Sequence, residues 1–122
     1  MIVEPATLRA RAPLRETIFD AMALLRIASL EELPPGALLE KHAAGRTFAL
    51  CNDAGTIHAF QGLCPHHGGP LGQGNFVDGR ILCPWHAWEF NVEDGALDFN
   101  PQVRLQRFGV EVRGGEVFVE IP

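Results

Sequence analysis

The sequence predicts an all-β fold made of short antiparallel strands joined by tight turns. From residue 37 onward, short segments with alternating or continuous apolar side chains are separated by dipeptides that favour hairpin turns. Helical periodicity is confined to the beginning of the chain. Two short segments that combine cysteine with histidine interrupt the strands. The 122 residues, 47% of them apolar, suit one domain with a single core.

Residues 1–24 are predicted to form an N-terminal extension with a short helix, ahead of a domain at residues 25–122. Pro13 can occupy the first turn of that helix. One helical face then carries four apolar residues, namely Leu14, Ile18, Met22 and Leu25. We expect this face to pack on the core of the domain, with docking on a partner or on a second copy as the alternative. The first strand is expected to start at about residues 26–28.

The middle of the chain predicts one helical turn followed by hairpins. Ser29 and Glu32 form a capping box, which places a single turn before the strands. Strands are predicted at residues 37–42, 46–52 and 56–61, with turns at Ala44-Gly45 and Asp53-Ala54-Gly55. Later hairpins are centred on Asp78-Gly79 and Gly114-Gly115.

Three residues of the predicted strands could be mistaken for reactive or ligating groups. Cys51 is interpreted as a small buried hydrophobe, because no nearby motif would lower the pKa of its thiol. His42 and His58 are interpreted as strand or surface residues and not as metal ligands.

Two mixed Cys/His segments contain the candidate metal ligands. One residue separates Cys64 from His66, two separate Cys83 from His86, and sixteen residues lie between the pairs. Thiolate and imidazole together select zinc or an iron–sulfur centre, because hard cations prefer oxygen donors. Zinc sites usually group like ligands in each short segment. The mixed segments therefore favour two irons, with structural zinc as the alternative.

The pattern Cys-x-His, sixteen residues, Cys-x-x-His resembles the Rieske [2Fe–2S] motif. Gly68-Gly69-Pro70-Leu71 after the first pair, and Trp85 and Trp88-Glu89-Phe90 around the second, agree with it. The resemblance implies the Rieske fold, an antiparallel β-sandwich or barrel-like basal domain with an inserted two-loop cluster-binding subdomain at about residues 62–92. It also implies one [2Fe–2S] cluster and four ligands, which would be Cys64, His66, Cys83 and His86.

The sequence departs from high-potential Rieske proteins at four positions. In those proteins a disulfide joins the cluster loops, and Ser and Tyr hydroxyls hydrogen-bond to sulfur. Here Gly69 and Trp85 occupy the disulfide positions, Trp88 replaces the Ser and Phe90 replaces the Tyr. Without these donors, the negative charge added on reduction is less stabilised. We expect a potential near the low end of the Rieske range, which extends from about −150 to +300 mV.

Other residues near the motif are interpreted as structural. His67 is expected to be a polar neighbour at an exposed tip and not a ligand, and Trp88 to be part of the core. Five glycines between Gly62 and Gly74 are expected to let the backbone approach the cluster closely. A group of acidic residues is interpreted as a solvated face, with docking on a basic partner as the alternative. Its members are Glu89, Glu93, Asp94 and Asp98.

Composition excludes several functional classes. The formal charge is −5 and the pI about 5.4, with scattered Lys and Arg, which argues against a nucleic-acid surface. No apolar run approaches the length of a membrane span, and charged residues interrupt any signal-peptide pattern at the N-terminus. With two of three cysteines assigned to metal, a reducing cytoplasm is expected.

The sequence shows no nucleophile–base pair and no open metal position, so the chain is not predicted to be an enzyme. The resemblance implies a soluble one-electron carrier that takes electrons from a flavin-dependent reductase and passes them to a terminal oxygenase, such as an aromatic-ring dioxygenase or a monooxygenase. One alternative is the small Rieske subunit of an assimilatory nitrite reductase. Another is a zinc-stabilised interaction module. No oligomeric state is predicted.

Overall fold

The computed structural model describes residues 23–122, which form twelve strands in three antiparallel sheets. Two 3-10 turns, at Leu30–Glu32 and Leu71–Gln73, are the helical elements of this part of the chain, and it contains no helix that is long and apolar enough to cross a membrane. The all-β class is confirmed. The strands are β1 (Ala23–Ser29), β2 (Leu38–Ala43), β3 (Arg46–Asp53), β4 (Thr56–Gln61), β5 (Asn75–Val77), β6 (Arg80–Leu82), β7 (Glu89–Asn91), β8 (Ala96–Leu97), β9 (Asn100–Arg104), β10 (Arg107–Phe108), β11 (Val110–Arg113) and β12 (Glu116–Ile121).

Strand β1 begins earlier than the sequence predicted. Ala23 pairs with Ile121 and Leu25 with Val119 of β12, so the expected start at residues 26–28 was wrong. Leu25 therefore belongs to a strand and not to a helical face, because β12 offers it a hydrogen-bonding partner and an apolar neighbour. The other members of the predicted helical face lie outside the described residues, as do residues 1–22 of the extension as a whole. The last two residues of the predicted extension, Ala23 and Leu24, belong to β1.

The basal part of the domain has two sheets around one apolar core. One sheet has the order β10-β4-β3-β2 and the other β1-β12-β11. Strand β3 is buried on both of its faces over residues 48–52. Because side chains alternate across a strand, Phe48 and Leu50 face the basal core, while Ala49 and Cys51 face a second core under the candidate metal centre. β3 thus connects the two cores.

Four two-residue turns join neighbouring strands in hairpins. Both central residues of each turn have positive φ, as type I′ turns require. The turns predicted from Gly and Asp dipeptides are confirmed at Ala44-Gly45, Ala54-Gly55, Asp78-Gly79 and Gly114-Gly115.

Asn52 is a polar side chain inside the core, with only 4% of its surface exposed. Its Nδ2 donates a hydrogen bond to the Leu33 carbonyl at 2.8 Å, and its Oδ1 accepts one from the Gly55 amide at 2.7 Å. Both partners are backbone groups. Asn52 therefore joins the β3–β4 turn to the segment that precedes β2.

We expect Asn52→Ala to lower the free energy of unfolding by about 1–3 kcal/mol, because it leaves a buried backbone carbonyl and an amide without partners. Urea unfolding of the cluster-loaded protein, followed by far-UV circular dichroism, measures the change. Asn75→Ala, at an exposed position of β5, is the control. A loss for Asn52→Ala no larger than that of the control would contradict this account.

The second core lies between strands β3 and β4 and a five-stranded sheet of order β5-β6-β7-β8-β9. The turn Leu71–Gln73 attaches this sheet to β2, where Gln73 Nε2 donates to Glu40 Oε1 at 2.7 Å. Gly72 lies so close to the same strand that an added Cβ would be 2.7 Å from the Glu40 Cα. Two loops, residues 62–70 and 83–88, project from this region and carry the predicted ligands.

Candidate metal centre

The first loop, residues 62–70, is closed by its own backbone hydrogen bonds. The Cys64 amide donates to the Gly69 carbonyl at 2.8 Å, and the Gly68 amide donates to the Cys64 carbonyl at 2.7 Å. Gly68 has a φ of 79°, which lets the chain reverse after His66. The loop thus holds Cys64 at its base and His66 near its tip.

The second loop, residues 83–88, repeats this geometry. The Cys83 amide donates to the Trp88 carbonyl at 2.8 Å, and the Ala87 amide donates to the Cys83 carbonyl at 2.8 Å. Ala87 has a φ of 57° and so occupies the left-handed position that Gly68 occupies in the first loop. The two Cys/His segments are therefore two copies of one loop conformation, although their Cys–His spacings differ.

The structure brings the four predicted ligands together at one end of the domain. The Cys64 and Cys83 side chains are buried, each with 3% exposure, and contact each other. The His66 and His86 ring centroids are 4.5 Å apart. His66 is half-buried and His86 is exposed. The sulfurs thus lie in the core and the imidazoles at the surface.

The electrostatics of these side chains fit a bound cation. Burial, followed by the proximity of Cys83, raises the pKa of the Cys64 thiol, so a thiolate there needs a compensating positive charge. Desolvation, followed by His67 and His86, lowers the pKa of His66 and favours the neutral imidazole that metals bind. His66 Nδ1 is buried and has no hydrogen-bond partner. A metal ion would satisfy all three conditions.

The arrangement differs from that of a mononuclear site. Among residues 23–122, no three His, Cys, Asp or Glu side chains are placed as ligands of one metal ion. Each iron of a Rieske cluster takes two protein ligands, either two Cys or two His. Two buried sulfurs beside two surface imidazoles match that division of donors.

Gly69 occupies a site that has no room for a side chain. An added Cβ would be 2.7 Å from Cys83 Sγ and 3.2 Å from the Trp85 ring. The sequence predicted that glycines bring the backbone close to the cluster, but three of the five lie instead against the backbone of neighbouring segments. These are Gly62, Gly72 and Gly74.

Trp88 touches a predicted ligand, which the sequence analysis did not anticipate. Its ring stacks on the His66 ring with a centroid distance of 4.1 Å and an interplanar angle of 6°. It also packs against the second core, as predicted. Phe99, which is 68% exposed, meets the Trp88 ring edge-on at 5.3 Å. No motif in the sequence indicates either contact, because residues 66, 88 and 99 meet only through folding.

The residues His67, His42 and Cys51 are not among the four candidate ligands, and the structure shows where each of them lies. His67 is exposed, with its ring 4.0 Å from that of His66. His42 Nδ1 lies 3.1 Å from Thr47 Oγ1, on the exposed side of β2. Cys51 is fully buried, and burial together with the nearby Asp53 raises the pKa of its thiol to about 12. Cys51 is thus a small buried side chain, as expected.

The acidic group is partly neutralised within its own sheet. The Arg80 guanidinium contacts the carboxylates of Glu89 and Asp98. The Asp94 carboxylate accepts a backbone hydrogen bond within its own turn. The Glu93 carboxylate makes neither an ion pair nor a hydrogen bond with the described residues. The single charge of Arg80 offsets only part of the negative charge of this group, and docking on a basic partner stays a prediction.

Comparison with known families agrees with this geometry. Residues 23–109 match the profile of the Rieske [2Fe-2S] domain. The chain belongs to the Rieske [2Fe–2S] domain family, and its cofactor is one Rieske-type [2Fe–2S] cluster. The alternative of structural zinc is therefore not supported.

Relatives of the chain include ferredoxin components of bacterial oxygenase systems. The ferredoxin component of the alkene monooxygenase system of Xanthobacter autotrophicus is 31% identical, over 82% of this chain and 83% of the relative. The ferredoxin component of biphenyl 2,3-dioxygenase from Rhodococcus jostii is 32% identical, over 82% of this chain and 94% of the relative. Human apoptosis-inducing factor 3 is 34% identical over 76% of this chain, which spans only 16% of that protein.

Solved structures show the same fold. The ferredoxin of carbazole 1,9a-dioxygenase from Nocardioides aromaticivorans matches with a TM-score of 0.72 and 28% identity, over 79% of this chain and 95% of that one. A chain in the complex of reduced oxygenase and oxidized ferredoxin of carbazole 1,9a-dioxygenase matches equally well, over 79% of this chain and 91% of that one. A nitrite reductase small subunit from Mycobacterium tuberculosis matches with a TM-score of 0.74 at 21% identity, over 83% of this chain and 96% of that one.

Proposed function

We propose that four side chains of the paired loops are the protein ligands of the cluster, with the two thiolates on one iron and the two imidazoles on the other. The support comes from the repeated loop conformation, the two buried thiols and the unpartnered Nδ1 of His66. The ligands are Cys64, His66, Cys83 and His86.

We propose that the chain is a one-electron carrier without catalysis of its own. When bound, the cluster supplies reversible one-electron transfer. The protein buries Cys64 and Cys83 away from water and leaves the His86 ring at the surface, where a partner can approach. The two hydrogen-bonded loops hold all four ligands in place with little reorganisation, which favours fast electron exchange.

We further propose that the donor is a flavin-dependent reductase and the acceptor a terminal oxygenase in the cytoplasm, either a ring dioxygenase or a monooxygenase. One observation carries this proposal: the similarity extends over 83% and 94% of two relatives that are ferredoxin components of oxygenase systems. The oxygenase–ferredoxin complex of carbazole 1,9a-dioxygenase supports an oxygenase as the acceptor. The nitrite reductase subunit shares the fold at 21% identity, and that likeness supports the fold alone.

Affinity purification of the chain from its own cells, followed by mass spectrometry, tests the proposed partners. We expect an oxygenase and a flavin-dependent reductase to be enriched. Cys64→Ala, which removes a proposed ligand, is the control for contacts that need the cluster. Enrichment of a sirohaem enzyme instead would assign the chain to a nitrite reductase and overturn the oxygenase proposal.

We expect a reduction potential near the low end of the Rieske range, at about −150 mV. Phe90 is fully buried in the second core, which also contains Cys64 and Cys83, and it has no hydroxyl to donate to sulfur. A redox titration followed by visible circular dichroism measures the potential. Phe90→Tyr supplies the missing hydroxyl and should raise it, with Phe90→Leu as the control. A wild-type potential in the upper half of the range would contradict the argument from missing hydroxyls.

A further inference from the structure

The geometry points to Trp88 as a positioning residue that holds the imidazole of His66 in one orientation. The inference rests on the proposed ligand role of His66. Trp88 is not itself a proposed ligand of the cluster. It acts on the site through its contact with the His66 ring.

The contact between the two rings is close and nearly parallel. The centroids are 4.1 Å apart and the planes differ by 6°, so one face of the imidazole is covered by the indole. His66 Nδ1, the nitrogen left free for the metal, has no hydrogen-bond partner, and no hydrogen bond joins His66 Nε2 to the described residues. Metal-bound histidines are usually oriented by a hydrogen bond from the other ring nitrogen. For His66, stacking on Trp88 restrains the ring plane.

Trp88 is itself held in place. Its carbonyl accepts the hydrogen bond from the Cys83 amide at 2.8 Å, which fixes its backbone to the base of the second loop. Phe99 meets its ring edge-on, at 5.3 Å and 88°. The rest of the indole packs on the second core. Because Trp88 is fixed by the second core and by the second loop, its ring is a rigid surface against which His66 of the first loop is held.

The restraint acts on one histidine of the two. Each loop has a residue five positions after its cysteine whose carbonyl accepts the cysteine amide, and this residue is Trp88 in the second loop and Gly69 in the first. Gly69 has no side chain, and the space beside it is filled by Cys83 Sγ and Trp85. The aromatic contacts of His86 among the described residues are with His66 and His67 only. An indole thus covers His66 and not His86.

Pulsed electron paramagnetic resonance of the reduced protein tests this asymmetry, because it resolves the coupling of each ligand nitrogen to the cluster. In Trp88→Leu we expect one of the two nitrogen couplings to shift while the other keeps its wild-type value. Trp88→Phe, which retains a ring, should shift the same coupling less. We also expect the cluster of Trp88→Leu to be lost about two to ten times faster than that of the wild type on dilution into chelator.

Phe118→Leu is the control for loss of an aromatic side chain, because Phe118 lies in β12, outside the second core and the cluster loops. It should change neither coupling. Couplings unchanged in Trp88→Leu, or both shifted equally, would overturn the inference. If Trp88→Leu binds no cluster, Trp88→Phe decides by the same criterion. A wild-type protein without two nitrogen couplings would instead overturn the proposed ligand set, which is a different result.

Discussion

Replacing Cys64 or Cys83 with alanine is expected to abolish cluster binding, whereas replacing Cys51 with alanine leaves the cluster in place. All three cysteines are buried in the same core, with exposures of 3%, 3% and 0% in that order. Burial alone therefore does not distinguish them. The difference is that Cys64 and Cys83 lie at the bases of the paired loops, while Cys51 lies within β3 and pairs with His58.

Iron content and visible circular dichroism of the purified variants measure this effect. We expect iron near background for Cys64→Ala and Cys83→Ala, and a wild-type spectrum for Cys51→Ala, whose small cavity should cost only about 1 kcal/mol of stability. His66→Ala and His86→Ala should also lose the cluster. Retention of a Rieske spectrum by any of these four variants would remove that residue from the ligand set.

Gly69→Ala is expected to have the second-largest effect, a loss of most of the bound cluster. The new Cβ would lie 2.7 Å from Cys83 Sγ, a distance that real Cβ atoms essentially never show. Either the sulfur or the first loop must move. Because a metal site tolerates little displacement of its ligands, we expect the affinity for the cluster to fall by about 10–100-fold, as it does for residues that support ligands. The iron content after reconstitution should then be well below that of the wild type.

Gly79→Ala is the matched control for this substitution. Gly79 lies in the turn between β5 and β6 of the five-stranded sheet and has a φ of 76°. A Cβ added to Gly79 would lie in open space. Its cost is backbone strain of about 1 kcal/mol without a contact to any ligand. We expect Gly79→Ala to bind the cluster fully. Equal iron contents in the two variants would show that the space beside Cys83 is not required.

Local sequence patterns determined most of the fold of this chain. The hairpins at Ala44-Gly45 and Asp78-Gly79 follow from the glycine at the second turn position, which accepts positive φ, and the strands follow from short apolar segments. The Cys/His spacing determined the family, because only a few residue types bind iron–sulfur clusters and their spacing reflects a rigid loop. Leu25 was misassigned because its helical spacing in the sequence competed with an edge of β12 that exists only after folding.

By itself, the sequence determined the fold class, the Rieske family and the four candidate ligands of this protein. The tertiary structure alone decided which side chains surround those ligands, namely that Trp88 covers His66 and that Gly69 makes room for Cys83 Sγ. It also decided that Arg80 contacts two acidic residues. The physical reason is the distance along the chain over which each interaction acts. Turn and ligand preferences act between residues close in the chain, whereas ring stacking, steric exclusion and ion pairing depend on distances that are set only when separate strands pack together.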